Sequence, residues 1–197
     1  MYSLILDTSA NELGVALYIE EKCLCHISFE CFRKQSETLV SEIQKILIHK
    51  NVNPSLVSKI YVNNGPGSYT GIRMSLAVAK TFSFVFDTQI FLVSSLLAQT
   101  GYVSDETVSL IDARAGRCYF GISHRGEVRE QKVIHMEELR EFLAQNPGIP
   151  IVGNFSLADR IVIPPKTGIV GIGEILGAVS CENNPLRVEP FYFKEAV

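Results

Sequence analysis

The sequence predicts an α/β protein of two lobes with mixed sheets, the second lobe smaller and diverged from the first. Three observations carry that prediction. Three apolar strands open the chain, helices with an apolar stripe then alternate with strands, and past residue 103 the same order restarts in shorter form. The 197 residues, 47% hydrophobic and 20% charged, are enough for a buried core and argue against disorder.

"YSLILD" (2–7), "LGVALYI" (13–19) and "CLCHISF" (23–29) read as strands, with Glu20-Glu21-Lys22 short enough for a hairpin. In "SETLVSEIQKILIHK", Leu39, Ile43, Ile46 and Leu47 fall at helical spacing, with Ser36 as the expected N-cap and Glu37 in the first turn. Pro54 ends that run, and "SKIYVNN" (58–64) is a β-branched strand. A glycine loop follows, then a helix from about residue 70 to 86 and a strand over 89–93. Three strands, helix, strand, helix, strand is the order of a ribonuclease-H-like unit, a mixed sheet with helical crossovers. The second set is "VSLIDA" and "RCYFGISH" as a hairpin about Arg114-Ala115-Gly116, then "EVREQKVIH", the helix "MEELREFLAQN" and the strand "IPIVG". The lobes are expected to span 1–102 and 103–197. A glycine-rich helix is expected near 172–180, and the tail is expected to return to the first lobe.

A net charge of -3 without a basic block argues against a chain that grips nucleic acid unaided. Five cysteines without a CxxC pair read as buried free thiols, and four scattered histidines give no HxxxH or HExxH pair, so no metal is expected. The opening residues lack the basic stretch and long apolar run of a signal peptide. The apolar-rich stretch 74–93 is broken by Lys80, Thr81, Ser83, Asp87 and Gln89, so no membrane span is expected and the chain reads as cytoplasmic.

The loop "NNGPGSYTGIRMS" (63–75) holds Gly65, Pro66, Gly67 and Gly71, with Ser68 and Thr70 as candidate N-caps. A Walker A loop needs a Gly-Lys step, which is missing. A dinucleotide fingerprint needs glycine where Thr70 stands, and a nucleophile elbow about Ser68 needs glycine at Pro66 and Thr70. Two readings stay open: a weak anion site at a helix start, or a tight strand-to-helix turn that needs glycine for close packing. On a helical wheel the following residues are apolar nearly all round, with Arg73 and Lys80 sharing one narrow charged strip. Such a helix is either central to the core or faces its own core on one side and a partner chain on the other.

"GPGSYTGIRMS" resembles the GPGSFTGLRIG signature of the TsaB (YeaZ) family, and four more landmarks lie in order. "LILDTSANELGVAL" is similar to the family's opening, "QSETLV" to HSExLxP, "LIDARAGRCYFG" to the DARRGEVY segment, and "VEPFYFK" to the terminal PxYxR. The resemblance implies the two-lobed actin-like ATPase (ASKHA) fold of actin, Hsp70 and sugar kinases. It also implies a role in placing threonylcarbamoyl on N6 of adenosine 37 in tRNAs that read ANN codons. TsaB-like proteins are noncatalytic there, bind the glycoprotease-like TsaD catalytic paralogue through the first two helices, and are joined by the ATPase TsaE. They also form homodimers through much the same surface, and tRNA is met only as part of the complex.

Carried onto this chain, the interface residues are Leu39, Val40, Ile43, Tyr69, Ile72, Arg73, Leu76, Ala77 and Lys80. Ser95 and Gln99 fall where the catalytic relatives hold their HxxxH metal pair, so neither metal nor cofactor is expected. Asp7, Thr8 and Ser9 occupy the superfamily's first phosphate loop and are the nucleotide-binding candidates. Departures from the pattern are Gln35 for histidine, Val40 for proline, Ser75 for the last signature glycine and Lys194 for the terminal arginine. The rival reading is a small ATP-dependent phosphotransferase or hydrolase with Asp7 on a metal and the Gly65–Gly71 loop on phosphate. Peptidase activity lacks a nucleophile with a base.

Overall fold

A computed structural model describes residues 1–31, 34–154, 156–157 and 160–193, so Lys194 lies outside the described residues. Strands β1 (Tyr2–Asp7), β2 (Glu12–Ile19) and β3 (Lys22–Glu30) are followed by helix α1 (Gln35–His49), β4 (Val57–Gly65), α2 (Tyr69–Phe86), β5 (Gln89–Ser94) and α3 (Ser95–Thr100). The order then restarts with β6 (Thr107–Arg114), β7 (Arg117–His124), β8 (Glu127–His135), α4 (Met136–Gln145) and β9 (Ile151–Gly153), and closes with α5 (Gly168–Gly173) and β10 (Cys181–Glu182).

The two sheets show the repetition. The six-stranded sheet runs β10-β5-β4-β1-β2-β3, and the four-stranded one runs β8-β7-β6-β9. In each, three antiparallel strands are joined to a fourth by a helix, α1 carrying the chain from β3 to β4 beside β1 and α4 carrying it from β8 to β9 beside β6, and each fourth strand is parallel to its neighbour. The expected mixed sheets are therefore present, and β10 brings the chain back to pair with β5 of the first sheet.

Period-two alternation in β1 places Leu4 and Leu6 on one face and Ile5 on the other, and all three are buried. The first face is covered by α1 and α2 through Leu39, Ile43, Ile72, Leu76 and Ala79. The opposite face is covered by α3 and α5, with Leu97, Ile169 and Ile172 over Ile5, Tyr61 and Phe91. Central strands with helices on both sides explain the near-continuous apolar runs in β1 and β4. The second sheet packs one face on α4 through Phe120, Ile134, Leu139 and Leu143.

Four local expectations are corrected. Ser36 is not the N-cap of α1: Lys34 holds that position without a side-chain cap, and the helix start is fixed by Gln35, whose Nε2 donates to the Ala10 carbonyl at 2.8 Å. Helix α3 was not anticipated between β5 and the second set of strands. The glycine-rich helix lies earlier, at Gly168–Gly173. All five cysteines are free, but Cys23 is exposed and Cys25 and Cys181 are half-buried, leaving Cys31 and Cys118 inside. Burial pushes the Cys118 thiol up to about 11, so it stays protonated.

Candidate functional site

The glycine loop sits where β4 ends and α2 begins, and its partner is another loop. Ser68 caps α2, its Oγ accepting the Gly71 N–H at 3.3 Å. Thr70, the other cap candidate, lies inside the helix. The Ser68 N–H donates to the Ser9 carbonyl at 2.7 Å, and the Thr8 hydroxyl donates to the Gly71 carbonyl at 2.7 Å. A Cβ on Gly67 would overlap the Ser9 carbonyl, and one on Gly71 would overlap the Thr8 carbonyl. The signature glycines thus let the loop and the 7–9 turn lie backbone against backbone. Of the two open readings, close packing has direct geometric support, since carbonyl oxygens rather than free N–H groups face both glycines.

Between the sheets lies a cleft of about 370 Å³ bordered by Asp7, Glu12, Asn63, Gln99, Lys166 and Thr167. Thr8 and Ser9 are buried, and Asp7 reaches the cleft wall with its carboxyl enclosed. Asp7 Oδ1 accepts the Ser9 N–H at 2.9 Å, and Oδ2 lies so close to Gly168 that a Cβ there would overlap it. Burial pushes the Asp7 carboxyl up from its ordinary value, with a smaller push from the Glu12 charge, against the pull of hydrogen bonds from Ser9 and Asn63. Lys166 is ion-paired with Glu174. Asp7 Oδ1 and the Lys166 ammonium thus each already have a partner within the chain.

The raised value makes Asp7 a pH-dependent element of stability. The folded state holds this proton more tightly than the unfolded chain, so stability falls as pH rises from the unfolded value near 3.8 through the folded one. In urea unfolding across that range, Asp7→Asn is expected to gain stability relative to the wild type as pH rises. A pH-independent difference between the two would show that the carboxyl is not desolvated.

The positions matching the catalytic relatives' metal pair carry structural bonds. Ser95 Oγ donates to Asn63 Oδ1 at 2.7 Å, and Gln99 Nε2 donates to Ser109 Oγ and, at 3.1 Å, to the Leu110 carbonyl. Gln99 therefore ties α3 to β6. Among the described residues no group of three or more His, Cys, Asp or Glu side chains is placed to hold a metal ion.

The nine expected interface residues divide between core and surface. Leu39, Ile43, Ile72 and Leu76 are buried in the core of the first sheet, a correction that follows from which face of each helix the sheet covers. Val40, Tyr69, Arg73 and Ala77 are exposed and Lys80 is half-buried. Val40, 60% exposed, belongs to an apolar outer surface on the adjacent α1 and α2 that residues outside that set complete: Ile48 is 69% exposed, Phe84 64% and Val85 62%. Their signal was the helix apolar nearly all round. The tail, whose "VEPFYFK" carried the resemblance to PxYxR, adds residues of its own. The Phe191 N–H donates to the Asn64 carbonyl at 2.8 Å, the Tyr192 ring stacks on Tyr69 with centroids 5.5 Å apart, and Phe193 stacks on Tyr119 of β7. No helix among the described residues is long and apolar enough to cross a membrane.

Comparison with known proteins adds four findings. The family model described as "TsaD: tRNA N6-adenosine threonylcarbamoyltransferase" matches residues 30–151. The Bacillus subtilis protein named tRNA threonylcarbamoyladenosine biosynthesis protein TsaB is 35% identical over 137 residues, 68% of this chain and 60% of its own length. A Haemophilus influenzae protein of the same name is 32% identical over 132 residues, 64% of this chain and 55% of its own. The chain thus spans about three-fifths of the length of the curated relatives it matches. The solved structure of YeaZ from Pseudomonas aeruginosa superposes with a TM-score of 0.71, covering 98% of this chain and 99% of that one at 21% identity, a likeness of fold.

Proposed function

This chain belongs to the TsaB (YeaZ) family, and we propose that it serves tRNA threonylcarbamoyladenosine formation as a noncatalytic partner of a TsaD-like catalytic paralogue. The observation that carries this reading is the outer surface of α1 and α2. Val40 and Ile48 of α1 and Phe84 and Val85 of the adjacent α2 leave large apolar side chains in water, and Tyr69 and Ala77 are exposed on the same α2. Large apolar groups left exposed on two adjacent helices mark a protein-binding surface. The cleft supports the noncatalytic part of the reading, because Asp7, Ser95 and Gln99 are spent on holding loops and lobes together. In this reading residues 1–102 form the docking lobe, 103–197 the smaller lobe with its tail returning to the first, and the complex works in the cytoplasm. A TsaE-like ATPase joins it, tRNA is met only there, and without the paralogue the same helices serve a homodimer.

The test is co-expression with the TsaD-family paralogue of the same cell, followed by nucleoside analysis of its tRNA. The two chains are expected to co-purify, and the paralogue alone is expected to leave adenosine 37 unmodified. Full modification by the paralogue alone, or transfer by this chain alone, would overturn the proposal.

A further inference from the structure

The docking surface proposed above is not uniformly apolar. Helix α2 contains two cations, Arg73 and Lys80, and no carboxylate in its 18 residues. Seven residues apart, the cations stand about 10 Å from each other along one side of the helix. Between them Ala77 forms a low floor, and the tail segment 188–192 makes the opposite wall of a groove of about 410 Å³. Among the described residues Glu189 is the one carboxylate that lines it.

Arg73 is held in place. Its guanidinium lies 4.2 Å over the Tyr69 ring, and its Nε donates to the Tyr192 hydroxyl at 3.2 Å. The fork formed by its two terminal nitrogens makes no hydrogen bond among the described residues. A stacked guanidinium with a free fork is pre-organised for bidentate binding of a carboxylate, so little side-chain entropy is lost on contact.

From this geometry, and resting on the docking role above, we propose that the groove sets partner choice. It takes an amphipathic helix of the catalytic paralogue that carries carboxylates seven residues apart, with an apolar or small residue between them over Ala77. A second copy of this chain is the poorer occupant, because its α2 brings two more cations and no anion to the strip. On α1, Glu42 is already paired with Lys45 at 2.6 Å, which leaves Glu37 as the exposed acid nearest the helix start. Opposed charge at such a rim acts chiefly on encounter rate and on discrimination between partners.

The experiment measures association of the intact chain with the isolated TsaD-family paralogue at low and high salt. It compares the wild type, R73E/K80E, the neutral R73Q/K80Q and the apolar-face variant F84D. The wild-type association rate is expected to fall with salt. R73E/K80E is expected to associate on the order of tenfold more slowly at low salt and to reverse that salt dependence, speeding up as salt screens the repulsion. R73Q/K80Q, which adds no new charge should reversal disturb the tail, is expected to fall between them. If both charge variants associate like the wild type while F84D does not bind, the groove has no role in partner choice and the scaffold reading stands. If F84D also binds normally, the docking surface itself is misplaced. A wild-type homodimer that outcompetes the paralogue would overturn the claim of discrimination.

Discussion

Gly71→Ala is expected to destabilise the protein by about 3 kcal/mol. The new Cβ would overlap the Thr8 carbonyl oxygen, and both groups belong to the backbone, so no side-chain rotation relieves it. Helix α2 must move away from the 7–9 turn, which strains a packed interface by roughly 1–3 kcal/mol. The same movement breaks the buried bond from the Thr8 hydroxyl to the Gly71 carbonyl, adding about 1 kcal/mol. For a chain of this length such a loss lowers the melting temperature by roughly 10 °C. Removing the helix cap with Ser68→Ala is expected to have a smaller effect, about 1 kcal/mol. Thermal and urea unfolding measure both. A loss of only a few tenths of a kcal/mol at Gly71 would mean that the loop and the turn are not in close contact, and the anion-site reading of the glycines would regain its ground.

The same loop shows where sequence reading succeeds and where it stops. The apolar run of β1 and the 3.6-residue period of α1 are properties of short windows, so both elements were legible. The glycines between Gly65 and Gly71 announced an unusual turn, but the reason for Gly67 and Gly71 lies about sixty residues upstream, in the carbonyls of Ser9 and Thr8. Helix α3 escaped because its six residues make less than two turns, too few to reveal a helical period, and it follows β5 directly, with Ser94 both ending the strand and capping the helix. The wheel of α2 showed two apolar sides without saying which the sheet would cover. That choice is made by β1 and β4, and it sent Ile72 and Leu76 inward and Phe84 and Val85 outward. Tyr192 could not have been placed, since it meets Arg73 across 119 residues of chain.

Ile72→Asp and Phe84→Asp put the same charge on the same helix and are expected to do opposite things. Ile72 is fully buried among the residues of the first sheet and α1. Losing its burial removes about 2–3 kcal/mol. An unpaired carboxylate in that core adds a desolvation penalty of several kcal/mol unless it takes up a proton. The sum rivals the 5–15 kcal/mol that holds an ordinary domain together, so Ile72→Asp is expected to be unfolded or insoluble. Phe84 is 64% exposed, and a carboxylate there keeps its water, so the free chain is expected to hold its stability within about 0.5 kcal/mol. Against a partner, however, the change removes an aromatic anchor and forces a charge into the interface, a loss of 2 kcal/mol or more, about thirtyfold in affinity. Circular dichroism of the two purified variants, with co-purification of the TsaD-family paralogue, separates loss of fold from loss of docking. A folded, normally stable Ile72→Asp would contradict the packing of α2 on the sheet. A Phe84→Asp that still co-purifies with undiminished affinity would move the docking surface elsewhere on the molecule.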